Sequence, residues 1–169
     1  MKKEQLERAR KSPDKGVLVH LVCNEADALF YSDEPDGLSE PQCTVLCVET
    51  FFSAVCDGGM AAWFDQDHGQ LAHRCPDALR RLGLPEYAIL AEKALRCHYQ
   101  DALPETASAW GQQLERIRSQ HCDEDCSEMY LPLDEQFFDL FQRNPREFRD
   151  RLFDYIIEHE ASFIGLTEA

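Results

Sequence analysis

Apolar positions along the chain recur at helical spacing, and no pair of alternating runs suggests a sheet. Residues 1–11 are polar and permit a helix but have little to bury. Ser12-Pro13-Asp14 reads as an N-cap with proline at the first helical position, which predicts a helix to about Phe30. Val17, Leu18, Leu21, Val22 and Leu29 lie toward one side of it, although the VLVHLV run also has strand-like branching. SDEPDGLSEP, residues 32–41, is a turn-rich acidic loop.

Ser39 then stands as the N-cap of the next helix, with Pro41 in its first turn and Gln42 in the capping-box position. Val45, Val48, Phe52 and Val55 recur at helical spacing, and Leu46 and Phe51 widen the apolar surface, so this helix should be central and nearly surrounded. Gly58 and Gly59 end it, and Met60 to Phe64 form a short helix that carries Trp63 and Phe64 back to the same core. Pro76 opens another helix, with Leu79 and Leu82 inward and Gly83 as its stop. After Leu84-Pro85, Tyr87, Leu90, Ala91, Ala94, Leu95 and His98 repeat at i, i+3, i+4. Leu103-Pro104 begins a further helix with Trp110, Leu114 and Ile117 aligned. The acidic connection HCDEDCSEMYLP precedes two last helices, at 134–142 with Phe137, Phe138 and Phe141, and at 145–160 with Phe148, Leu152, Phe153, Ile156 and Ile157. Asn144 and Glu147 have the spacing of a capping box for the second of these. The expected fold is all-α: a basic arm at 1–14, then one multi-helix domain of seven to nine helices at 15–169.

At 169 residues, 44% apolar and 29% charged, the chain is long and apolar enough to bury a core. Charge changes the picture more. The net charge is -15, and it is unevenly placed. Residues 1–16 hold Lys2, Lys3, Arg8, Arg10, Lys11 and Lys15 against Glu4, Glu7 and Asp14, which makes them +3 and leaves -18 for the remainder. No lysine or arginine falls between Gly16 and Arg74, or between Ser119 and Gln142. Such a field repels nucleic acid and anionic membranes and attracts basic proteins, although acidity also serves solubility alone. The basic N-terminus has no apolar stretch behind it, and no run approaches the ~18 apolar residues of a membrane span. A cytoplasmic protein is expected, with its eight cysteines as free thiols.

Cys43 and Cys47 are at i, i+4 on the central helix, and Cys122 and Cys126 repeat that spacing beside His121. Structural zinc sites use tighter knuckles, and the first pair sits among core residues, so buried thiols are preferred to a metal site. The chain has no G-x-S-x-G elbow, no H-E-x-x-H and no phosphate-binding glycine loop followed by lysine. Asp57-Gly58-Gly59 lacks a preceding strand and reads as a corner between helices. No catalytic residue, cofactor or metal is assigned, and a non-enzymatic protein is expected.

Acidic spacing supplies the candidate binding residues. Glu147, Asp150, Asp154 and Glu158 share one face of the last helix, while Asp123, Glu124, Asp125, Glu128, Asp134, Glu135 and Asp139 crowd the segment before it. Carboxylates on successive turns are about 5.4 Å apart, whereas duplex DNA carries a charge about every 1.7 Å of its axis, so one helix cannot imitate it and several acidic edges are needed.

The order Asp57-Gly58-Gly59-x-x-x-Trp63-Phe64, then Ala78-Leu79-x-x-Leu82-Gly83 and an alanine-rich helix from Tyr87, resembles the N-G-G-aromatic and A-L-x-x-(I/L)-G pattern of the DNA-mimic protein family first described in Neisseria. Leu133-Asp134-x-x-Phe137-Phe138 with Leu152-x-x-Tyr155-Ile156 is similar to that family's last helices, and the resemblance covers roughly 39–164. It implies an all-helical fold in which Gly58, Gly59, Trp63, Phe64 and Gly83 form the structural corner, frequent dimerisation, and an acidic surface that occupies the DNA-binding face of a regulator. This chain departs at Asp57, where the family usually has asparagine, in its many cysteines and in its basic N-terminus. The shared residues specify fold, whereas mimicry depends on surface carboxylates. Two other readings stay open: an immunity-type protein binding through an apolar patch such as one at Trp110, and a metal protein using His121, Cys122 and Cys126.

Overall fold

Proline stands in the first turn of several helices in this chain, and a left-handed glycine follows one of them. The computed structural model describes residues 2–31, 37–65, 67–99, 109, 112–113, 116 and 126–164. Among them are seven α-helices and no strand: α1 (Lys3–Arg10), α2 (Gly16–Phe30), α3 (Glu40–Asp65), α4 (Cys75–Arg81), α5 (Pro85–His98), α6 (Leu131–Arg143) and α7 (Glu147–Glu158). The all-α expectation holds. Short 3-10 turns occupy Asp67–Arg74, Cys126–Tyr130 and Glu160–Phe163. Of the helix expected after Leu103-Pro104, Trp110, Leu114 and Ile117 lie outside the described residues, while Ala109, Gln112, Gln113 and Arg116 are helical.

The chain divides into two units, Met1–Glu49 with Pro145–Ala169, and Thr50–Asn144, with the boundary inside α3. In the first, α1 and α7 each pack on α2. Residues 1–11 are more than a polar arm: α1 places Leu6 fully buried with Ala9 one turn on, so two apolar residues seat an otherwise polar helix. α2 starts at Gly16, later than the Ser12-Pro13 signal suggests. The Ser12 hydroxyl accepts from the Asp14 N–H at 3.2 Å and the Asp14 carboxylate from the Gly16 N–H at 2.8 Å, and these successive side-chain turns hold the chain in a loop. In α3, every residue from Gln42 to Val48 is buried, so this end of the helix is enclosed on all sides. Half of its capping box forms: the Ser39 N–H donates to Gln42 Oε1 at 2.7 Å, while the Ser39 hydroxyl has no hydrogen-bond partner among the described residues. The Gln42 amide also donates to the Ser162 carbonyl at 3.0 Å. By length and composition alone α3 could cross a membrane; half of its most apolar window is buried in protein.

The second unit has an aromatic core. Phe51 meets Trp63 at 4.7 Å between ring centroids, Phe52 meets Tyr87 at 4.8 Å, and Phe137 of α6 lies against both phenylalanines at 5.7 and 5.4 Å. α5 packs on both α4 and α6. Gly83 closes α4 as expected: at φ 71° it is left-handed, its N–H reaches the Arg80 carbonyl, and the Leu84 N–H reaches Leu79, the paired bonds of a Schellman motif. The capping box expected at Asn144 does not form. Pro145 favours extended backbone in the residue before it, and Asn144, at φ -150° and ψ 80°, ends α6; α7 begins only at Glu147 after two turn residues, without a side-chain cap.

Candidate functional site

As expected, Gly58 and Gly59 end the helical segment that begins at Glu40, and a second, short segment follows across the kink. Gly59 adopts φ 76° and ψ -174°, a region open essentially to glycine alone, and the helix resumes at Met60. The Asp134 carboxylate on α6 accepts the Met60 N–H at 2.7 Å and so caps the resumed segment from another helix. A Cβ on Gly59 would lie 2.7 Å from Asp134 Oδ2, which is too close, so the backbone angle and the neighbouring carboxylate both require glycine there. Burial pushes the Asp134 carboxyl up from its ordinary value, and the Met60 hydrogen bond partly opposes this.

Beside this corner is an open groove of about 740 Å³. Val55, Leu131 and Phe138 give it apolar walls, and Asp57, Glu135 and Asp139 stand with Asp134 around it. No lysine or arginine among the described residues lines it. Leu131 leaves 54% of its surface exposed, and Met129 leaves 41%. Asp139 also borders a smaller α5–α6 groove of about 250 Å³ with both charge signs at its edge, from Glu86, Lys93 and Arg143.

The candidate acidic residues separate once they are placed. Asp123, Glu124 and Asp125 lie outside the described residues. In the second unit Glu128, Glu135 and Asp139 are exposed, the last two one helical turn apart, whereas Asp134 turns inward to its capping role. In the first unit Asp154 and Glu158 are exposed, but Glu147 has Arg151 at 3.8 Å and Asp150 has Lys15 at 3.0 Å. Lys15 also covers the Phe153 ring at 5.0 Å, and Arg10 reaches Glu160 at 3.3 Å. The N-terminal cations therefore neutralise part of the acidic C-terminal region. Their separation of more than 130 residues hid this pairing from sequence spacing.

Burial, reinforced by Glu49 and Asp27, holds the Cys23 thiol well above its ordinary pKa, the opposite of what a nucleophilic cysteine needs. Glu49 is itself raised by burial, against the nearby His20, at 3.7 Å, and Arg149. Cys43 and Cys47 are buried with their sulfurs 3.7 Å apart. No group of three or more His, Cys, Asp or Glu residues placed to hold a metal occurs among the described residues. His98, half-buried, stacks on Phe64 at 4.0 Å, and its Nδ1 pairs with the Tyr130 hydroxyl at 2.7 Å.

These features define an all-helical protein whose glycine corner is capped by Asp134 of the acidic helix α6. Residues 36–159 match the family model described as DMP19-like protein, and the chain belongs to that family. The match takes in α3 with its corner and all of α4 to α7, and leaves α1 and α2 outside it. No curated protein and no solved structure matches the sequence.

Proposed function

We propose that this is a cytoplasmic, non-enzymatic binding protein whose acidic surface occupies the DNA-binding face of a basic, regulatory protein and so acts as a DNA mimic. The observation that carries this reading is the exposed acidity of α6 and α7, where Glu135, Asp139, Asp154 and Glu158 face solvent in a chain of net charge -15 that belongs to the DMP19-like family. Carboxylates so placed attract cationic surfaces over a distance set by ionic strength and repel nucleic acid itself.

The test is capture of partners from the host at low salt, followed by competition. A basic DNA-binding protein is expected, released by duplex DNA and by rising salt. Asp154→Lys with Glu158→Lys should weaken it about two- to fivefold per charge. Recovery of no such protein, or a complex that duplex DNA leaves intact, sinks the proposal. A second reading draws on the exposed Met129 and Leu131: docking through an apolar patch without mimicry. Binding indifferent to salt and to the two lysine substitutions would select it.

A further inference from the structure

We infer that the groove beside the Gly58-Gly59 corner seats an arginine side chain presented by the partner protein; this rests on the acidic-surface reading above and names one subsite within it. The groove combines two features that few single side chains match. Leu131 and Phe138 offer apolar and aromatic wall, while Glu135 and Asp139 stand at its edge without a cation among its described lining residues. Along α6, positions 131, 135, 138 and 139 fall at i, i+4, i+7 and i+8, so one helix face carries both wall and charge.

The chemistry favours guanidinium over ammonium. A planar guanidinium stacks on an aromatic face and forks to carboxylate oxygens at once, whereas the compact, strongly hydrated lysine head is a point charge. Phe138, half-buried, keeps part of its ring available, and Asp57 closes the opposite side of the groove. Glu135 and Asp139, like charges one turn apart, repel each other modestly in the free protein, and a cation between them relieves this. The volume, about 740 Å³, is within the roughly 300–1,000 Å³ of small-ligand sites and exceeds one side chain, so the arginine enters with part of its flanking backbone. The same carboxylates exclude a phosphate or any other anion.

The test is an amide-resolved NMR titration of the full chain with N-acetyl-arginine amide and, separately, N-acetyl-lysine amide. Saturable shifts concentrated at Gly58, Gly59, Leu131, Glu135 and Phe138, stronger for arginine, are expected. Glu135→Gln and Asp139→Gln should each weaken them about two- to fivefold, and Phe138→Leu should remove the preference for arginine. Cys56, exposed and on the same groove, gives a readout in the unsubstituted protein: the arginine probe should slow its alkylation more than the lysine probe does. Shifts equal for the two cations, shifts scattered over both acidic helices, or no shifts would overturn the assignment. So would groove shifts that grow with protein concentration alone, which would give the groove to a second copy of the chain. If these results fail while duplex DNA still releases a captured partner, only the arginine seat falls and the acidic-surface reading stands.

Discussion

Substituting Gly59 with alanine tests the corner at its most constrained atom. Two costs are readable from the geometry. At φ 76° and ψ -174° an alanine is held in a region that costs about 1–3 kcal/mol. Its Cβ would also stand 2.7 Å from Asp134 Oδ2, so the short Asp134 side chain must swing away and give up the 2.7 Å bond from the Met60 N–H. Losing that bond adds about 1–2 kcal/mol. The sum, about 2–5 kcal/mol, is a urea midpoint lowered by about 1–2.5 M for a slope of about 2 kcal/mol/M. A double-mutant cycle separates the two costs. Asp134→Ala alone removes the bond and the close contact, so Gly59→Ala added to it should cost only the backbone strain. The two single changes together should therefore exceed the double by about 1–2 kcal/mol. A Gly59→Ala cost below about 1 kcal/mol, or single changes that add to within about 0.5 kcal/mol, would refute the account of the corner.

Two further predictions concern the first unit. Leu6→Ala should cost about 2–3 kcal/mol in urea unfolding, since Leu6 is fully buried; a cost near zero would return α1 to the status of a loose arm. Glu49→Gln should stabilise the protein at neutral pH. Burial raises the folded-state pKa of Glu49 above 4.5, so its stabilising contribution is complete below about pH 4.5 and is lost as pH rises through the folded value. Glutamine keeps the neutral form, so unfolding curves of the two proteins should coincide near pH 4 and separate above it. An advantage for glutamine that is largest in acid would contradict this sign.

How much of this was legible in the sequence depended on how local the determinant was. Gly83 could be read because a Schellman closure is written within six residues, from Leu79 to Leu84. The Phe51, Phe52 and Trp63 core was legible from helical periodicity, which needs no knowledge of the partner helix. The start of α2 was not, because Ser12 and Asp14 use their side chains on the backbone two residues ahead and outcompete the proline signal. Nor was the depth of Leu6, a single apolar residue in a polar stretch whose burial is decided by packing on α2.

The candidate site shows the same limit in its charges. Asp134 and Glu135 are adjacent acids on one helix, and spacing alone gave them the same role. The structure separates them, because Asp134 meets Met60, 74 residues away in sequence, and holds the corner, while Glu135 remains exposed on the groove. Asp150 and Asp154 divide likewise, one paired with Lys15 and the other exposed. The count of 32 acidic side chains therefore overstates how many are available to a partner, since some carboxylates act on the fold and others meet cations of the same chain. Gly58, Gly59, Trp63 and Asp134 explain why the corner has a recognisable sequence pattern: a backbone angle, a close approach and a cap leave little freedom. Glu135 and Asp139 make no such demands on the fold. Any specificity of the acidic surface must come from positions like these, which the helices present without being shaped by them.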